Sequence, residues 1–185
     1  MNILNKMKKK INKNKGILFW ITGLSGSGKT TLGKKIHKEI INEYGPTIMI
    51  SGDNIRKIFN LNGYENIDRL KITKKYSKFA KYITDQKINI ILAVVGMYNE
   101  PREWNRLNID NYIEIYIKSS IKNIIKLNKK KIYKKKSPGK IVGINIKPQF
   151  PKNPSIIFTN FFNKNLTQAS EFILKKIEGI IHDTK

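Results

Sequence analysis

The octapeptide Gly23-Leu24-Ser25-Gly26-Ser27-Gly28-Lys29-Thr30 constrains this chain more than any other feature, because it satisfies G-x-x-x-x-G-K-S/T at every position. Its flanks are those such a loop requires. Ile17-Leu18-Phe19-Trp20-Ile21-Thr22 is a β-branched and aromatic run that predicts a buried strand ending at glycine. After it, Leu32, Ile36, Ile40 and Ile41 recur at helical spacing until Tyr44-Gly45-Pro46 stops the helix. Glycines at these places let the backbone take positive φ and turn successive N–H groups inward onto a phosphate. Lys29 can then reach the β- and γ-phosphates, the Thr30 hydroxyl suits Mg²⁺, and the positive end of the helix faces the same charge. Gly23 through Thr30, with Thr31 following, are therefore the candidate nucleotide-binding residues, with ATP and Mg²⁺ as the expected ligands.

The remaining chain repeats strand and helix. Strands are expected at 47–50, 88–95, 112–117 and 156–159, with 88–95 the most apolar and hence interior. Helices are expected over 29–43, 68–86, from Pro101, over 121–127 and over 168–181. Such alternation predicts an α/β three-layer fold: a parallel sheet of about five strands, helices on both faces, and ligands at the carboxyl ends of the strands. No repeat or Pro/Gly-rich linker divides the chain, so residues 16–185 are expected to form one domain. Residues 1–15 read as a basic, disordered arm, and 129–154, rich in Lys, Gly and Pro, as a basic lid.

Composition excludes several classes. Without cysteine there is no disulfide framework, thiolate nucleophile or Cys-based zinc site. No span is apolar enough for a membrane helix and no signal-peptide core follows the basic start, so the chain reads as soluble and cytoplasmic. The net charge of +24, from 37 Lys and Arg against 13 Asp and Glu, could mark a nucleic-acid binder. The lysines are scattered among asparagines and isoleucines rather than gathered with stacking aromatics, which argues for compositional drift and for a small anionic nucleotide as partner. His37 and His182 stand alone and carry no catalytic or metal role. Trp104 reads as a helix-packing aromatic, and a homodimer stays open.

A phosphate loop alone does not separate a hydrolase from a transferase. Hydrolases usually carry an acid at the end of a second hydrophobic strand. Here strand 88–95 ends in Gly96-Met97, and the acid stands after the second strand instead, in Ser51-Gly52-Asp53-Asn54-Ile55-Arg56. A carboxylate there can take the proton from an attacking hydroxyl or help hold Mg²⁺, and Arg56, one turn on, can pair with an anionic acceptor. The plain alternative makes Asp53 a helix cap and Arg56 a surface cation.

These segments together resemble the adenylylsulfate kinases. The resemblance is carried by FWITGLSGSGKTTL, by GDNIR, by Gly63-Tyr64 followed by Asp68-Arg69, and by IYKKKSPGKI around Tyr133. It covers about Ile17 to Pro154 in order, and implies transfer from MgATP to a nucleotide's ribose 3′-hydroxyl, by default that of adenylyl sulfate. By position it implies that Lys29 and Asp53 are catalytic, and that Arg56 and Arg69 hold anionic groups of the acceptor. It also implies that Tyr64 stacks on the acceptor base, and that Lys134 and Lys135, with Tyr133, belong to the closing lid. Departures gather on the acceptor side. Ser51 stands where the family has Asp, Ile72 where it has Asn, and Lys74-Lys75 where it has two arginines; Leu127-Asn128 replaces an Arg-Asp pair. Lysine keeps the charge but loses the bidentate fork. Met97-Tyr98, Trp104-Asn105-Arg106 and Pro148 to Pro154 look like a side branch of the family that acts on other activated nucleotides, such as a cytidine diphosphate derivative in surface-polysaccharide phosphoramidate synthesis.

Overall fold

The computed structural model describes residues 11–126, 141–161 and 165–182. Five parallel strands form one sheet in the order β2-β3-β1-β4-β5, with β1 at Ile17–Gly23, β2 at Thr47–Ser51, β3 at Asn89–Val94, β4 at Asn111–Lys118 and β5 at Ile156–Thr159. The most apolar strand, β3, is interior as expected, but β1 is the middle strand. All seven β1 residues are buried, because helices cover both faces there. The short edge strand β5 instead alternates buried and exposed residues, as a half-covered strand should.

Alternation along β1 feeds two cores. Ile17, Phe19 and Ile21 point to the face covered by α1 (Lys29–Tyr44) and α6 (Leu166–His182), where Leu32, Ile36 and Ile40 meet Ile173, Ile177 and Ile181. Leu18 and Trp20 point to the other face, against α3 (Asn66–Asp85) through Ile72, Tyr76 and Ala80, and against Ile55 of α2 (Gly52–Ile58). Helix α4 (Asn99–Asn108) lies beside α3, and α5 (Ile121–Lys126) closes a third, smaller cluster with Leu24, Met97 and Val142.

Two asparagines secure the amino end of the sheet. Asn89 accepts from the Ile17 amide at 2.8 Å, and Asn111 donates to the carbonyls of Asn12 and Lys15 at 2.9 and 3.0 Å. Lys15 also pairs with Asp85. Of the expected arm, 1–15, residues 11–15 are described: Asn111 ties them to β4 and Asp85 ties Lys15 to α3. Residues 1–10 lie outside the described residues, as do 127–140, which hold the first part of the expected lid. Its end is described: Ile141, Val142 and Ile146 are buried.

Candidate active site

The glycine loop joins β1 to α1 as the spacing predicts. Gly26 and Gly28 have φ of 79° and 97°, and Gly28 is the amino cap of α1 with no side-chain cap. A Cβ on Gly28 would also stand 3.2 Å from the Asn160 side chain. The Lys29 ammonium, 8% exposed, donates to the Leu24 carbonyl at 2.7 Å, and the Ser27 amide closes a turn onto the same carbonyl. The loop forms one wall of a cavity of about 430 Å³, which Thr30 and Thr31 also line.

The rest of the lining comes from segments that are distant in sequence. Asp53 enters from the first turn of α2, directly after β2. Ser51 is that helix's amino cap, accepting from the Asn54 amide at 3.2 Å, so the cap role belongs to Ser51 and leaves Asp53 facing the cavity. Phe158, Asn160, Asn165 and Leu166 enter from the end of β5 and the start of α6, and Asn160 donates to the Ser27 carbonyl at 3.0 Å. The sequence reading missed these four, since nothing local distinguishes an asparagine after a strand from a turn residue.

A second cavity of about 180 Å³ adjoins the first, and Ser25, Gly52, Asp53, Val94 and Val95 line both. Arg56, Tyr64, Arg69, Tyr76 and Tyr98 line it too, with Ile141 and Val142 from the described end of the expected lid. The centre of the Tyr64 ring stands 4.9 Å from the Arg56 guanidinium and 5.3 Å from that of Arg69. Both arginines are aimed by carbonyls: Arg56 donates to Leu61 and Gly63, each at 3.0 Å, and Arg69 to Tyr64 at 2.8 Å. Gly63 has φ 103°, and a Cβ there would collide with Asp68 at 2.7 Å, so the turn presenting Tyr64 demands glycine. Burial lowers the Arg69 pKa, and the like charge of Arg56 adds to that; a guanidinium keeps its proton regardless. Burial raises the Tyr98 pKa, so its hydroxyl stays protonated, 3.0 Å from the Asn66 side-chain oxygen. Lys134 and Lys135, expected over this cleft, lie outside the described residues.

Behind the second cavity is a buried ionic cluster. Arg102 and Glu114 are each 1% exposed. Arg102 Nε stands 3.2 Å from Glu114, and Arg106 pairs with the other carboxylate oxygen. The remaining donors of Arg102 go to the Gly96 carbonyl, the Asn99 side chain and the Gln149 carbonyl, at 2.9, 2.6 and 2.7 Å. Burial raises the Glu114 pKa, and the two arginines oppose that shift.

A cradle of amides and an ammonium that shares a carboxylate with a cationic, aromatic cleft can bind a polyphosphate and a second anionic molecule side by side. A family model described as adenylylsulphate kinase matches residues 15–159. The chain belongs to that family. Among relatives of this kinase, the cytidine diphosphoramidate kinase of Campylobacter jejuni is 33% identical over 168 residues, covering 89% of this chain and 98% of the relative. The adenylyl-sulfate kinase of Staphylococcus epidermidis is 35% identical over 160 residues, covering 83% and 80%. The fold matches the Mycobacterium tuberculosis APS kinase solved with AMPPNP and APS at a TM-score of 0.78 and 23% identity, over 89% of this chain and 98% of that one. The family makes this chain an ATP-using phosphotransferase with a hydroxyl acceptor. Among the described residues, no helix is long and apolar enough to cross a membrane.

Proposed function

We propose that the chain transfers the γ-phosphoryl group of ATP to the ribose 3′-hydroxyl of an activated nucleotide. One observation carries the reading: the phosphate cavity and the Arg56–Tyr64–Arg69 cleft meet at Ser25 and Asp53. ATP would lie with its phosphates on residues 23–31 and its base toward Phe158 and Asn160. The acceptor base would stack on Tyr64, with its anionic groups against the arginines. Its hydroxyl oxygen attacks the γ-phosphorus, the bond to the β,γ-bridging oxygen breaks, and ADP leaves. Asp53 receives the hydroxyl proton and later releases it to solvent. Lys29 and the loop amides stabilise the charge on the transferring group.

The donor set suits magnesium. Thr30 and Asp53 supply hard oxygens to the same cavity, and no cluster of three His, Cys, Asp or Glu is present among the described residues. This matches an ion held largely by nucleotide phosphates with one or two protein ligands. When bound, it would neutralise the β- and γ-phosphates.

Adenylyl sulfate is the family's default acceptor. A cytidine diphosphate derivative is a second reading, favoured by two observations. Tyr98, in the Met97-Tyr98 departure from the family pattern, lines the acceptor cleft, and the Campylobacter jejuni relative matches over 98% of its length. A coupled ADP-release assay with adenylyl sulfate and cytidine diphosphoramidate in parallel tests both. Turnover confined to one of them identifies the acceptor, whereas ADP release that neither accelerates would refute the assignment.

A further inference from the structure

Helix α2 carries Asp53 and Arg56 yet spans only seven residues. A helix this short does not hold its own orientation in water, so its tertiary anchors decide where both side chains point. Three are visible. Ser51 caps the amino end and Ile55, 2% exposed, is sunk in the core. The third reaches across from α3: the Tyr76 hydroxyl donates to the Gly52 carbonyl at 3.1 Å. This bond acts on the backbone unit directly before Asp53. Tyr76 is 5% exposed and lines the acceptor cleft together with Asp53 and Arg56. A carbonyl has two lone pairs, which lets Gly52 accept from Tyr76 and still serve its own helix.

Burial raises the Tyr76 pKa; Arg56 opposes that shift and Asp53 adds to it. The hydroxyl therefore remains a donor across the neutral range. One phenol thus holds the backbone that carries the proposed base, in the cleft that Arg56 also lines.

We propose that Tyr76 is a positioning residue of the acceptor half, its hydroxyl fixing the first turn of α2 so that Asp53 and Arg56 face the acceptor together. The proposal rests on the nucleotide-kinase reading above. Misplacing a reacting group by about 1 Å can cost on the order of 10²-fold in rate. Loss of one of three anchors should shift the turn only in part.

The test compares full-length wild type, Tyr76→Phe and Tyr76→Leu, using the acceptor that wild type turns over. Tyr76→Phe removes only the oxygen. It should lower kcat roughly tenfold and raise the acceptor KM, while the KM for ATP and the thermal shift produced by MgATP stay within about twofold of wild type, since Tyr76 does not line the ATP cavity. Tyr76→Leu should fall at least as far. Wild-type kinetics in Tyr76→Phe with loss only in Tyr76→Leu would assign the effect to ring volume and overturn the proposal. Equal losses for ATP and acceptor, or disappearance of the MgATP thermal shift in Tyr76→Phe, would make the hydroxyl a general fold contact and overturn it as well. Failure of wild type with both acceptors would defeat the underlying kinase reading, and the wild-type arm alone would show it.

Discussion

Glu114→Leu should destabilise this protein out of proportion to the size of the change. The substitution removes the counter-charge of Arg102 while leaving a side chain of similar volume. Arg102 keeps three neutral acceptors, at Gly96, Asn99 and Gln149, so its hydrogen bonds survive and only the charge compensation is lost. The guanidinium is 1% exposed and cannot shed its proton, whereas Arg106, at 38%, can turn toward water. Breaking a buried pair from one side costs about 3–5 kcal/mol, and one uncompensated arginine rather than two places the cost near 3 kcal/mol. At roughly 2–4 °C per kcal/mol for a chain of this size, Tm should fall by about 6–12 °C. Thermal and urea unfolding of the single variant, of Arg102→Met and of the double variant form the necessary cycle. The double variant should cost clearly less than the sum of the singles, because removing Arg102 removes the reason Glu114 is needed. A Glu114→Leu loss below about 1 kcal/mol, or strict additivity, would refute the argument that the carboxylate compensates a buried cation.

Lys29→Ala should reduce transfer on the order of 10³-fold or more, measured as ADP release at saturating substrates, because this ammonium is the cation of the phosphate loop. Asp53→Asn should lower kcat far more than it weakens ATP binding; matched losses in kcat and nucleotide affinity would recast the carboxylate as a ground-state ligand. Tyr64→Ala should weaken acceptor binding by about 1–3 kcal/mol, on the scale of base stacking on an aromatic ring. Calorimetry with the acceptor alone would check this, and unchanged affinity would remove Tyr64 from the cleft.

Much of this was legible in the chain because the phosphate loop fixes strand, turn and helix at once, and because Leu32, Ile36 and Ile40 can bury only one face. Tyr64 and Arg69, singled out by the resemblance, do come together in one cleft. Three features were not legible. Arg102 and Glu114 look like surface charges in a linear reading, and only the tertiary fold, which brings Arg102 of α4 to Glu114 of β4, makes them a buried pair. Asn160 meets the loop from 133 residues away, a contact no local pattern encodes. Tyr76 occupies one apolar position on a helix face, and its oxygen is invisible to periodicity. The middle place of β1 also depends on strand order, which alternation leaves undetermined.

Strand order has a consequence for how such a protein can change its chemistry. In β2-β3-β1-β4-β5, the segments after β2 and β3 supply Asp53, Arg56 and Tyr98, whereas the segment after β5 supplies Asn160 and Leu166. On the proposed function, Arg56 and Tyr98 would meet only the acceptor and Asn160 and Leu166 only the nucleotide, while Asp53 and the loop face both. Substitutions at Arg56 or Tyr98 would then retune which alcohol is accepted while leaving the triphosphate's seat in place, so a lineage could explore new acceptors with its energy source fixed.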